Sequence, residues 1–292
     1  MERVSLFCFA ASYALSLGLD CLAIWQRLQL FKKWPQLPGW FRGGAWIMAA
    51  AGLVAHSLYL WTWQPSIAWQ FGWLLVVAWF LAAFSVYEQA HRGRVSWSIF
   101  LLPMVLGMVG MATIIGPPPP EEGGLPNLFS MANLNFWNRL HGVLLLAASV
   151  VLSVAFIGSL MFLIRARQLK SKLAPGRGLS LFTLEGLETM NKRLVAVTFP
   201  LLSAGLGVGV GIMFAHASEL DGFSDPRVLG ALGLWLVFGV LLGLRYGTRF
   251  RGSVMAWMTV GVWLLFVVCL VLPHTLPTGP KASSRNPGVK AP

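Results

Sequence analysis

The sequence predicts an all-α polytopic membrane protein with about eight transmembrane helices. Three observations carry that prediction. Hydrophobic residues make up 57% of the 292-residue chain and charged residues only 11%, with a mean hydropathy of +0.69. A soluble domain carries about 25% charged residues, and a larger core cannot remove the deficit, because a globular surface still has to be polar. Apolar runs of about 20 residues, the length that crosses a bilayer, recur along the whole chain. Basic residues then fall in every second loop, which is the pattern of a chain that threads a membrane back and forth.

The runs, in order, are 3–25, 44–63, 66–87, 95–115, 139–164, 194–216, 227–244 and 253–273. The first has a weak basic start, is long for a signal-peptide core and lacks a small-x-small exit, so it reads as a span and not as a cleaved leader. The loop after it holds Arg27, Lys32, Lys33 and Arg42. The second run ends in a short uncharged connection at 64–65. The third leads into Arg92 and Arg94. After the fourth comes "GPPPPEEGG" (116–124), where consecutive prolines remove donors and fix φ, so the stretch is a stiff connector. The fifth run opens near His141 and ends in a loop with Arg165, Arg167, Lys170, Lys172 and Arg177. Within that loop, "SLFTLEGLETMNKRL" (180–194) spaces Leu181, Leu184, Leu187 and Leu194 for an interfacial amphipathic helix that starts at Ser180 or Thr183. The sixth run contains "SAGLGVGVG" (203–211). It follows no strand, so it is no phosphate loop; the i, i+4 pairs Gly205/Gly209 and Gly207/Gly211 are small faces for close helix packing. The acidic loop 217–226 follows, then the seventh run, then Arg245, Arg249 and Arg251, then the eighth run and a polar tail.

The basic loops belong on the cytoplasmic side of a bacterial-type inner membrane, which puts both termini outside. This topology also accounts for the net charge of +12, so nucleic acid is not the expected partner. The chain divides into a four-span region (1–115), an external connector (116–138), a second four-span region (139–276) and a disordered tail (277–292). Cys8, Cys21 and Cys269 each sit in an apolar run. No C-x-x-C-H site for covalent haem is present, and no motif for hydrolysis, phosphoryl transfer or nicotinamide binding.

Ionisable groups inside spans are costly and ask for a reason. They are Asp20 and the histidines. His91 lies in a basic cytoplasmic loop and reads as a solvated residue. His56, His141, His216 and His274 all fall toward the outer face. Neutral imidazoles from different helices can clamp a haem iron. They also bind zinc or copper, but carboxylate or thiolate partners normally complete such a site, and none lies beside His141 or His274. Three readings stay open on the residues alone: haem ligation, interfacial histidines satisfied by neighbours, and transport.

From His141 to about Gly279 the chain resembles the cytochrome c assembly family, the CcsA/CcmC/HemX-type membrane proteins. The features run in order: "NRLHGVLLL", the basic "RARQLKSK", "LFTLEGLETMNKRLVAVTFPLLSAGLGVGVG", "SDPRVLGALGLWLVFGVLLGLR", "RFRG" and "LPHTLPTG". "GLVAHSLYLW" in the first half is similar to HemX-like members. Two departures stand out. The family's external W-G-x-x-W-x-W-D motif is reduced here to Asp225, with His216 at the start of the loop. An intramembrane histidine of the family is replaced by Gly243. The resemblance is thus to a divergent HemX-like member. It implies haem b held non-covalently on the outer face, with His141 and His274 as axial ligands and His56 as a weaker counterpart. On the residues themselves, His216 is either a substitute ligand or a polar cap, and Arg139, just ahead of His141, either a rim charge or a partner for a haem propionate. The resemblance also implies other cytochrome c assembly proteins and apocytochrome c as partners, with any haem-ligase role arising only within a complex. The other reading is a transporter or regulatory scaffold without haem, the scaffold acting through 180–194.

Overall fold

The structure is a computed structural model that describes residues 2–27, 40–63, 72–92, 97–114, 136–170, 182–215, 226–247 and 252–271. These form α1 (Glu2–Arg27), α2 (Trp40–Trp63), α3 (Gly72–Arg92), α4 (Ser98–Ile114), α5 (Phe136–Lys170), α6 (Leu184–Ala215), α7 (Pro226–Gly247) and α8 (Gly252–Val271), with no strand among the described residues. The expected all-α architecture is therefore the observed one. Six helices, α1, α2, α3, α5, α6 and α8, are long and apolar enough to cross a membrane, while the apolar stretches Ser98–Ile114 and Val228–Leu244 are shorter.

The helix ends depart from the expected spans where polar helix formers prolong an apolar run. α3 continues beyond 87 to Arg92, because nothing breaks it before Gly93, and this draws Glu88 into the helix, where it is buried. α5 extends to Lys170 through "RARQLK", whose Arg167 and Lys170 suit the negative end of the helix dipole. The larger correction concerns 180–194, which is no separate interfacial helix. From Leu184 it is the first third of α6. Leu187, Asn191, Val195, Thr198 and Leu202 are buried in one helical row with no break at 194. Thr183 caps the start, its hydroxyl accepting the Gly186 N–H at 3.2 Å.

The helices form two rings of four. α1 packs on α2 and α4, and α3 on α2 and α4; likewise α5 packs on α6 and α8, and α7 on α6 and α8. α3 also touches α5, and the main core is shared across the two rings: Leu81, Leu101 and Val105 pack in one cluster with Ile157, Met161 and Leu187. A smaller core holds Leu152, Val195, Leu234, Phe238, Leu241 and Val262 of the second ring.

Both rings are tied by the same polar device. Trp79 of α3 donates its indole N–H to Ser57 of α2 at 2.8 Å, and Ser57 donates to the Leu53 carbonyl. Trp235 of α7 donates to Ser203 of α6 at 2.8 Å, and Ser203 to the Phe199 carbonyl. Each link satisfies every donor it uses, as an apolar environment demands. The fourth helix of each ring also begins against a carboxylate from another helix. The Ser98 hydroxyl donates to Asp20 of α1, and the Glu188 carboxylate of α6 sits where a Gly252 side chain would otherwise be, 3.1 Å from that Cβ position. A carboxylate is favoured there by the positive end of the helix dipole.

Candidate functional site

The site is built on the antiparallel pair α5–α6. Its register is constant over the length of the pair: His141 faces Gly209, Leu145 faces Gly205, and Ser159 meets Asn191. The first two contacts are made possible by the absence of side chains on α6. A Cβ on Gly205 would come within 2.8 Å of Leu145 Cδ2, and one on Gly209 within 2.7 Å of His141 Cε1. The row Gly205/Gly209 thus accepts the row Leu145/His141, as expected for a small face. The second expected pair does not behave this way, because Cβ atoms on Gly207 and Gly211 would meet nothing within 4 Å. These two lie on the side of α6 turned away from α5.

His141 is half-buried in this slot, and its Nδ1 lies 2.7 Å from the Gly205 carbonyl oxygen. A carbonyl can only accept, so Nδ1 carries the proton and donates. In the neutral ring the lone pair is then on Nε2. This is the arrangement typical of metal-bound histidines, in which the second ring nitrogen is spent on a carbonyl and the first is left for the metal.

Arg139 does not share that face. Two residues along a helix amount to a rotation of about 200°, so Arg139 falls in the row of Leu146 and Val150, which pack against the shared core. Its Nε is buried and has no acceptor among the described residues.

His56 occupies a different interface. It is fully buried between α2 and α1, its ring stacked on Phe9 at 4.2 Å with an interplanar angle of 1°. Its Nδ1 lies 3.4 Å from the Tyr13 hydroxyl, while Nε2 is buried with no partner among the described residues. Gly52, one turn before His56, makes room for the Tyr13 ring, since a Cβ there would come within 2.8 Å of it. His56 stands out in the sequence but its enclosure does not; the signal for it is the aromatic pair Phe9/Tyr13, one turn apart in the first run. His91 is exposed at the end of the apolar part of α3, stacked on Tyr87 at 4.2 Å.

His216, Asp225 and His274 lie outside the described residues. The helices that lead to them are described. α6 ends at Ala215 and α7 begins at Pro226. α8 runs antiparallel to α5, with Gly252 against Phe162 and the Trp263 indole donating to Ser153 at 3.3 Å. That register sets Val271, the last residue of α8, level with Leu144, one turn from His141. Among the described residues no three His, Cys, Asp or Glu side chains gather as a metal cluster.

Comparison with known proteins adds two matches. The family described as cytochrome C assembly protein matches residues 47–275, which takes in α3 to α8 and most of α2. The match therefore extends well into the first ring, beyond the segment from His141 that carried the sequence resemblance. A protein of Azospirillum brasilense described as an uncharacterized 28.8 kDa protein in the nifR3-like 5' region is 26% identical over 232 residues, 77% of this chain and 80% of that protein. No solved structure matches.

Proposed function

Since the chain belongs to the cytochrome c assembly protein family, a multi-pass membrane protein with a role in building cytochrome c, we propose that it holds haem b non-covalently at the end of the second ring where α5 begins. His141 and His274 are the axial ligands in this reading, and that end of the bundle faces the outer side of a bacterial-type inner membrane. The haem is cargo: when bound, it supplies the prosthetic group destined for an apocytochrome.

The observation that carries the reading is the seat of His141. Its Nδ1 is engaged by Gly205, Gly209 clears the space for the ring, and Nε2 keeps the lone pair that iron needs. The antiparallel register of α5 and α8 supports the second ligand, since His274 follows three positions after a residue level with Leu144. Arg139, the cation expected to meet a propionate, lies in a different row of α5 from His141, so the arrangement lends that pairing no support. His216 follows α6 directly and serves as a polar cap of that helix end in preference to a third ligand. The scaffold reading keeps only the exposed side of its segment, because the other side is engaged within the protein. Glu188 sits against α8, Asn191 donates to Ser159 of α5 at 2.7 Å, and Lys192 lies 5.0 Å over the Tyr246 ring of α7.

The test is spectroscopic. The protein, purified in mild detergent and titrated with haem, should show a bis-imidazole Soret and α band. His141→Ala and His274→Ala should each abolish that pattern, while His216→Ala should leave it. A wild-type protein that retains no haem would overturn the proposal.

A further inference from the structure

α6 and α7 keep one antiparallel register along their seam. Ser203 takes the indole N–H of Trp235, a Cβ on Gly239 would meet Phe199 at 3.5 Å, and the Lys192 ammonium stands 5.0 Å over the Tyr246 ring. Steps of four and seven residues back along α6 match the same steps forward along α7. Between the Phe199 and Lys192 contacts both shoulders of the seam are small: Ala196 on α6 and Gly243 on α7, where a Cβ would meet nothing within 4 Å. The seam is therefore notched for one helical turn on its outward side. Toward the His141 end the notch meets an aromatic wall, Phe199 stacked on Trp235 at 6.0 Å, and exposed Val197 and Val240 flank it. Toward the basic loops it meets two exposed cations, Lys192 and Arg193, the second heading the exposed row Arg193, Val197, Pro200 and Ala204. Neither cation forms an ion pair among the described residues; the carboxylate one turn earlier, Glu188, is set against Gly252 of α8 instead.

We propose that this seam is a binding site for an anionic phospholipid of the leaflet next to the basic loops. The headgroup phosphate meets Lys192 and Arg193, and one acyl chain lies in the notch over Gly243, between Val197 and Val240 and against the Phe199–Trp235 wall. Basic pockets between spans on the positively charged side of a membrane protein attract anionic headgroups. The Tyr246 face steadies the ammonium from one side, as ring faces attract cations, and leaves its other N–H groups for a phosphate. Tyr is itself a residue of the membrane boundary. The notch offers apolar surface only, so its ligand carries hydrocarbon as well as charge, which points to a lipid and not to a free anion. Haem has no part in this site, since His141 sits beside Gly209 toward the other end of α6.

The probe is phosphatidylglycerol, compared with phosphatidylcholine of the same acyl chains. Each is added to the full-length protein in mild detergent, and native mass spectrometry counts the lipid retained. The wild type should retain phosphatidylglycerol in preference to phosphatidylcholine. Lys192→Gln, which removes the charge and keeps most of the stem, should weaken that retention about fivefold, the weight of one basic residue near an anionic headgroup. Gly243→Leu keeps both cations and fills the notch, and should lower retention of both lipids. Gly207→Leu, at an equally open glycine toward the other end of α6, should change neither. Circular dichroism verifies that the variants keep the helical fold. No preference in the wild type, or equal retention by the wild type, Lys192→Gln and Gly243→Leu, would overturn the site. Displacement of the lipid by glycerol phosphate at the same concentration would refute the assignment to a lipid. Either result leaves haem binding, and with it the proposed function, intact.

Discussion

Gly207 and Gly209 are two residues apart in the same helix and differ in what faces them. Beside Gly209 stands the His141 ring; beside Gly207 there is open space. Gly209→Leu should therefore drive the imidazole out of its slot and break its bond to Gly205, removing haem binding as fully as His141→Ala and costing about 1–3 kcal/mol of stability through overpacking. Gly207→Leu should leave both unchanged. Haem titration of the two variants, with circular dichroism to verify the helical fold, checks the contrast. His141 was legible in the sequence because an ionisable group in an apolar run is conspicuous. Its seat was legible only as one of two glycine pairs, since a run of alternating glycines does not say which row meets the neighbouring helix. Nor did position in the chain reveal that Arg139 and His141 look in different directions; that follows only once the run is known to be helical through both.

At the scale of the element, α5 and α6 behave as one ruled pair. The facing residues His141/Gly209 and Ser159/Asn191 lie 18 positions apart on both helices, which is about 27 Å at 1.5 Å per residue. The inner contact is only half satisfied. Asn191 donates to Ser159, but its Oδ1 is buried with no partner among the described residues. Asn191→Leu should thus change stability by less than about 1 kcal/mol, the lost hydrogen bond, about 0.6 kcal/mol on average within membranes, being offset by removal of the orphaned oxygen. The Trp235 link has no such offset. Trp235→Phe keeps a ring beside Phe199 but loses the bond to Ser203, and should lower stability by about 0.6 kcal/mol. Thermal unfolding in detergent measures both. The length of α6 was not legible, because amphipathic residues before an apolar run can lie along a membrane surface or continue as the same rod. Buried Leu187 and Asn191, with α5 and α8 packed beside them, decide for the rod.

Over the whole molecule, the composition announced the class and the eight runs announced the helices. The arrangement into two rings of like construction was not announced. It depends on contacts between helices far apart in sequence, such as the Trp–Ser links and the carboxylates at the starts of α4 and α8. Orientation rests on the basic loops. A membrane-impermeant thiol reagent should label Ser284→Cys in intact spheroplasts and Ala174→Cys only after lysis, both in a background lacking the native cysteines. The reverse pattern would turn the topology over and place the His141 end on the cytoplasmic side. α4 adds a demand on the surroundings of the protein. Its 17 described residues span about 26 Å, less than the hydrocarbon thickness of about 30 Å, and it stands in a molecule whose α5 is about twice as long. Thinning the lipid to meet a span this short costs a fraction of a kcal/mol per Å. The apolar stretch Val228–Leu244 of α7 is as short, so each ring carries one short span, and reconstitution into bilayers of graded thickness should find the stability of the protein greatest below the average thickness.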